Sequence, residues 1–237
     1  MKANPLILGL ETATMAGSVC LALGNEILVS QTGDASTSHS NTLLRDIHQV
    51  LDQARVSLND IDVFAAAVGP GSFTGLRIGL ATTKALAATL SRQCLSVPTL
   101  AALASAAGVA ENVIALLPAG RGEVFVQLFS VAGEADVTPV DEAAHLSPAK
   151  MLERYAKLET AIMAGEGAEL HRNAILDYAS ANSRNWSIAR LDRELAKHVA
   201  LIGLKLYRAQ KTIGPESLQA LYVRPSDAEL KSNVVNN

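Results

Sequence analysis

Two stretches of this 237-residue chain carry residue types and spacings suited to chemistry. The first is Gly69-Pro70-Gly71-Ser72-Phe73-Thr74-Gly75-Leu76-Arg77-Ile78-Gly79, a glycine-rich run that leads into helical periodicity. Such a turn aims free backbone N–H groups at whatever lies above it, which suits a phosphate. The same glycines also suit a tight turn with close helix–sheet packing, so both readings stand. A P-loop needs Lys and then Ser or Thr after its last glycine, and Leu76-Arg77 stands there instead. The second stretch is Glu11-Thr12-Ala13-Thr14, which sets one carboxylate and two hydroxyls directly after an apolar run.

Other candidates fall away on spacing. Of the five histidines, His39, His48, His145, His171 and His198, no two are one helical turn apart, and no metal site is expected. Ser72 lacks the second glycine of a hydrolase elbow. Cys20 and Cys94 lie in apolar runs and read as small buried hydrophobes. No catalytic residue is assigned.

The elements that must position these residues follow from periodicity. Leu6–Leu10, Ser18–Leu23 and Glu26–Gln31 read as strands, with Gly24-Asn25 as a hairpin turn. Residues 40–54 carry Leu43, Leu44, Ile47, Val50 and Leu51 at helical spacing behind Ser40 as N-cap. A strand at Ile61–Val68, a helix at Gly75–Ser91, a strand at Cys94–Val97 and a helix at Thr99–Ala107 complete a βββαβαβα order. That is the ribonuclease H-like order, and actin-like ATPase folds use it twice. The second half reads as a reduced copy: strands at 113–117, 123–131 and 161–164, helices at 148–156, 168–178 and 192–210, and a closing strand at Leu221–Arg224. The expected fold is therefore α/β and two-lobed, with a mixed sheet in each lobe, divided into residues 1–108 and 109–237.

Composition narrows the partners. Charged residues are 18% and apolar ones 49%, ordinary for a globule, and the net charge of −3 makes no bulk case for nucleic acid or membrane surfaces. No stretch has the length of a membrane span or the pattern of a leader, so the cytoplasm is the expected compartment. In an actin-like frame, Glu11 would stand in for the Asp at the metal–phosphate end of ATP, with Thr12 and Thr14 as further nucleotide contacts. The matching second-lobe loop, Leu117-Pro118-Ala119-Gly120, has no carboxylate. A small-molecule kinase or ATPase is thus the alternative reading.

The second helix points elsewhere. Between Gly75 and Leu90 its only charges are Arg77 and Lys84. A helix with its back in water shows a broad charged face, so something covers this one. The cover is either the chain's own C-terminal segment or a partner's helix admitted by the small face of Gly75, Gly79, Thr82 and Leu86.

The run from Gly69 to Leu86 resembles the signature of the TsaB (YeaZ) family. Leu10-Glu11-Thr12-Ala13-Thr14, His39-Ser40 with Leu43-Leu44, Arg121-Gly122-Glu123-Val124-Phe125 and Leu221-Tyr222-Val223-Arg224 are similar to further family segments. The resemblance implies a non-catalytic homologue of TsaD that pairs with it and enables threonylcarbamoyl transfer to the adenosine next to the anticodon of certain tRNAs. It also implies a TsaE-like ATPase in the complex, a homodimer when alone, tRNA contact only through the complex, and ATP or ADP at most at the complex interface. The expected partner surface comprises Leu43, Ile47, Gly75, Arg77, Gly79, Thr82 and Leu86. Glu11, Asn41 and Pro118 depart from the family's usual residues, which weakens any inherited nucleotide contact there.

Overall fold

The structure is a computed structural model and describes residues 2–37 and 39–223. Its first sheet has the order β3-β2-β1-β4-β5, from strands β1 (Leu6–Glu11), β2 (Ser18–Leu23), β3 (Glu26–Thr32), β4 (Val63–Ala67) and β5 (Gln93–Val97). The first three strands are antiparallel, and β4 and β5 run parallel to β1. The second sheet repeats this plan with β6 (Ala110–Gly120), β7 (Glu123–Gly133), β8 (Asp136–Pro139), β10 (Thr160–Ala164) and β11 (Asn185–Ile188), in the order β11-β10-β6-β7-β8. Here too the first three are antiparallel and the last two parallel to the first. A short β9 (Ala144–Leu146) pairs with β7. This is the α/β, two-sheet architecture of the actin-like ATPase class.

Helices α1 (His39–Ala54) and α2 (Phe73–Thr89) cover the outer face of the first sheet. Helices α4 (Pro148–Arg154), α5 (Glu166–Leu170) and α6 (Arg172–Ala181) cover the outer face of the second. Between the sheets lie α3 (Thr99–Ala106) and α7 (Leu195–Arg208), in one core that draws on both halves. Sheet membership changes near Gly108, but packing does not: α3 packs on β6, β7 and β8, while α7 packs on β1, β2, β4 and β5. The sequence explains how both fit. Helix α3 is largely alanine, and α7 meets β1 at Gly9, where a Cβ would sit 2.7 Å from the Ala196 carbonyl oxygen.

Four local expectations are revised. Helix α1 begins at His39, so Ser40 lies in its first turn and does not cap it. Helix α2 begins at Phe73, capped by Ser72. The helix expected over 168–178 is broken at His171 into α5 and α6. Residues 221–223 form no strand, although Leu221 N–H donates to the Val68 carbonyl at 2.7 Å; Arg224 lies outside the described residues. Among the described residues no helix is long and apolar enough to cross a membrane.

Candidate functional site

The β1–β2 turn, residues 12–17, meets the loop 69–72 and the first turns of α2. Glu11, at the end of β1, is fully buried. Its carboxylate accepts from the Ala13 N–H at 2.5 Å, the Thr14 N–H at 2.8 Å and the Thr14 hydroxyl at 2.7 Å. Burial pushes its pKa up, against the pull of those donors and of His39 nearby. Thr14 Oγ1 also accepts from Gly17 N–H. His39 Nε2 lies 3.0 Å from the Thr14 carbonyl oxygen and pins the turn to α1. The groups expected to face a nucleotide, Glu11 and Thr14, are therefore spent on shaping their own turn.

Thr12 is turned inward against α2. A Cβ on Gly75 would clash with the Thr12 carbonyl oxygen, and one on Gly79 with Thr12 Oγ1. These two glycines admit the chain's own turn. The expectation that they admit a partner's helix is corrected on that ground. Leu43 and Ile47 are also buried, in the core between α1 and the first sheet. Of the expected partner surface, Arg77 stays exposed, and Thr82 and Leu86 are half-buried.

The signature loop Gly69, Pro70, Gly71, Ser72, Phe73 and Thr74 acts as a clamp. Gly69 N–H donates to Thr99 Oγ1 at 3.0 Å, and Thr99 N–H returns to the Gly69 carbonyl at 2.8 Å. Ser72 N–H donates to the Ala13 carbonyl at 2.8 Å, and Ser72 Oγ accepts from Gly75 N–H at 3.2 Å. The loop thus joins the β1–β2 turn to the start of α3. Gly69 holds a positive φ of 115°, and a Cβ there would lie 2.6 Å from the Leu221 carbonyl oxygen. The Phe73 ring packs at a tilt against Tyr222, centroids 5.6 Å apart, and the Arg77 guanidinium lies 3.8 Å above the Phe73 ring.

Near the end of α3 and the start of α7 a cleft of about 610 Å³ is lined by Thr32, Ala106, Arg190, Arg193, Glu194 and Lys197. Beneath it runs a buried chain that the sequence did not announce. Ser105 Oγ lies 2.8 Å from His198 Nδ1, and His198 Nε2 lies 3.4 Å from Asp192 Oδ2. The order is that of a hydrolytic triad. Ser105, however, is 3% exposed, its hydroxyl also meets the Glu134 carbonyl, and Lys197 Nζ holds Asp192 at 2.8 Å. The arrangement ties α3 to α7 and presents no reachable nucleophile. Burial lowers the His198 pKa, partly offset by Asp192. Burial works against the Asp192 charge as well, but Lys197 and the Glu194 N–H outweigh it and hold its pKa down. Ser105 and His198 stand 93 positions apart, and the only local hint was Asp192 just ahead of a helix that carries His198. Among the described residues no three His, Cys, Asp or Glu side chains converge as metal ligands.

The outward face of α1 and α2 is the remaining feature. Leu44 is 66% exposed on α1. On α2, Ala81, Ala85 and Ala88 are exposed and Ile78 is half-buried. Apart from Arg77 and Lys84 this helix has no charge to offer water.

Comparison with known proteins matches this chain, over residues 25–221, to the family described as "TsaD: tRNA N6-adenosine threonylcarbamoyltransferase". The chain belongs to that family. Curated relatives are named "tRNA threonylcarbamoyladenosine biosynthesis protein TsaB". The one from Haemophilus influenzae is 34% identical over 52% of this chain and 52% of its own length. The one from Escherichia coli is 36% identical over 50% and 52%. The chain spans about half the length of these curated relatives in the matched regions. A solved Pseudomonas aeruginosa structure, described as an uncharacterized protein with similarity to peptidase YEAZ, superposes with a TM-score of 0.77 at 25% identity, over 93% of this chain and 100% of its own. The resemblance to TsaB read from residues 69–86 is borne out by these relatives.

Proposed function

We propose that the chain is a partner subunit in threonylcarbamoyladenosine formation on tRNA, binding a TsaD-like protein and enabling it without catalysing the transfer itself. The observation that carries this reading is the exposed face of α2 around Ala81 and Ala85, charged only at Arg77 and Lys84, with Leu44 of α1 exposed as well. A helix face of small, uncharged residues left open to water invites a complementary helix. The names of the relatives supply the chemistry, and the fold relation to TsaD supplies the kind of partner. The internal use of Glu11, Thr12 and Thr14 supports a helper over the kinase or ATPase alternative. In this reading the same face forms a homodimer when the partner is absent, a TsaE-like ATPase joins the assembled pair, tRNA is met through the complex, and the setting is cytoplasmic.

The test substitutes Leu44→Glu and Ala85→Glu. Both positions are exposed, so the monomer should keep its melting temperature. Binding to a TsaD-like protein should fall by about tenfold or more for each, since a buried unpaired charge costs an interface more than 1.4 kcal/mol. Threonylcarbamoyl-adenosine formed from tRNA, threonine, bicarbonate, ATP, the adenylate-forming enzyme and the partner should fall in parallel. Product made by this chain with the partner left out would overturn the helper role.

A further inference from the structure

The first turns of α2 hold a charge in place without pairing it. Arg77 is exposed, yet its guanidinium carbon lies 3.8 Å over the Phe73 ring, one turn back on the same helix. Phe73 is itself fixed. Its ring packs at a tilt against Tyr222, which the segment after α7 carries there. That segment is pinned on the way. Ile213 N–H donates to the Cys94 carbonyl at 2.9 Å and Cys94 N–H to the Ile213 carbonyl at 2.8 Å. Leu218 is fully buried, and Leu221 N–H donates to the Val68 carbonyl at 2.7 Å.

A guanidinium held over a ring turns one face to it and keeps its N–H donors on the rim, where a planar carboxylate can meet two at once. Fixing the side chain beforehand also removes much of the ordering cost that a free arginine brings to a contact. The acceptor is what is missing: among the described residues Arg77 forms no ion pair.

The surrounding charges say which acceptor fits. Nucleic acid is met by several cations along a groove. Here the next charge on α2 is Lys84, about 10 Å further along the helix. A single fixed guanidinium suits a single carboxylate. A second copy of this chain has little to give it from the same two helices. Helix α2 carries no carboxylate, and on α1 Asp46 is buried and Asp52 lies 3.3 Å from His48 Nε2.

We infer that Arg77 is the specificity contact of the α2 face: its guanidinium, positioned by Phe73 and Tyr222, pairs with a carboxylate on a helix of the TsaD-like partner and favours that partner over a second copy. The inference rests on the proposed function and adds to it the chemistry and the selectivity of the contact.

Binding of the full chain to a TsaD-like protein, and its self-association by light scattering, test this, with Ala85→Glu as the control for the face as a whole. Arg77→Ala should weaken partner binding about tenfold or more, because it leaves the partner's carboxylate buried and unpaired. Self-association and melting temperature should keep their wild-type values, since the exposed arginine has no pair to lose. Arg77→Lys keeps the charge but not the fork, and should recover only part of the loss. Phe73→Leu frees the guanidinium and should weaken partner binding about threefold, yet add nothing further in an Arg77→Ala background. The two Arg77 variants carry the test if Phe73→Leu fails to fold. If Ala85→Glu weakens partner binding and Arg77→Ala does not, the carboxylate contact is overturned while the docking face stands. If neither does, the docking face falls and the contact with it. Equal losses of partner binding and self-association in Arg77→Ala overturn the selectivity. Unchanged partner binding with weaker tRNA binding by the assembled pair assigns Arg77 to a phosphate and overturns the inference as well.

Discussion

Replacing the two inward glycines of α2 by alanine separates a glycine kept for packing from one kept for a partner. In an exposed helix interior the change stabilises by about 1 kcal/mol through helix propensity. Here both added Cβ atoms meet Thr12, but different parts of it. At Gly79 the obstacle is Thr12 Oγ1, with Thr12 Cβ and Cγ2 at 3.2 and 3.3 Å, all on one side chain. At Gly75 it is the Thr12 carbonyl oxygen, which belongs to the backbone. Overpacking costs about 1–3 kcal/mol, with the rigid obstacle at the upper end. Net of propensity, Gly79→Ala should destabilise the monomer by about 1 kcal/mol and Gly75→Ala by about 2 kcal/mol. For a chain of this size that lowers the melting temperature by roughly 2–4 °C and 4–8 °C. The decisive step is a double-mutant cycle with Thr12→Ala, which removes Oγ1 and Cγ2 but leaves the carbonyl. It should recover most of the Gly79→Ala loss and little of the Gly75→Ala loss. The assay is chemical or thermal denaturation by circular dichroism at low concentration, paired with light scattering at high concentration. A stabilised Gly79→Ala monomer with weakened self-association would refute the packing argument and return the glycine to an outside partner.

Further outcomes follow from the same geometry. Burial pushes the Cys20 thiol up to about 12 and the Cys94 thiol up to about 11, so the native chain should resist thiol reagents at pH 8 and yield two reactive thiols on unfolding; fast labelling of the native chain would count against their placement. His198 has a folded pKa below its unfolded 6.5. Its contribution to stability is therefore present above pH 6.5 and lost as pH falls through the folded value. Wild type should lose more melting temperature between pH 7.5 and 5 than His198→Gln, and parallel curves would remove the histidine as the cause.

Much of the architecture is local, and that part was legible. A strand's alternation, a helix's 3.6 period and the turn residues Gly24-Asn25 act over a few neighbours, so the βββαβαβα order could be read directly. The family was legible for the same reason, because residues 69–86 are one contiguous run. The short strands β8, β9 and β11 were missed: three to four residues with few apolar side chains carry no period. The break at His171 was missed because Leu170 and Leu176, both exposed, keep the apolar density of a helix running through.

What only the tertiary structure decided is who meets whom. The sequence states that α2 has a small face, but not that Thr12 fills it. It states that Glu11 and Thr14 could hold a phosphate, but the fold turns their oxygens onto the N–H groups of their own turn. It places Ser105 far from Asp192 and His198, and only the crossing of α3 and α7 between the sheets brings the three into one chain of contacts. The physical reason is the same in each case. Propensity and periodicity are summed over neighbours along the chain, whereas the satisfaction of a buried carboxylate or the room beside a glycine is set by groups that closure of the fold brings in from elsewhere.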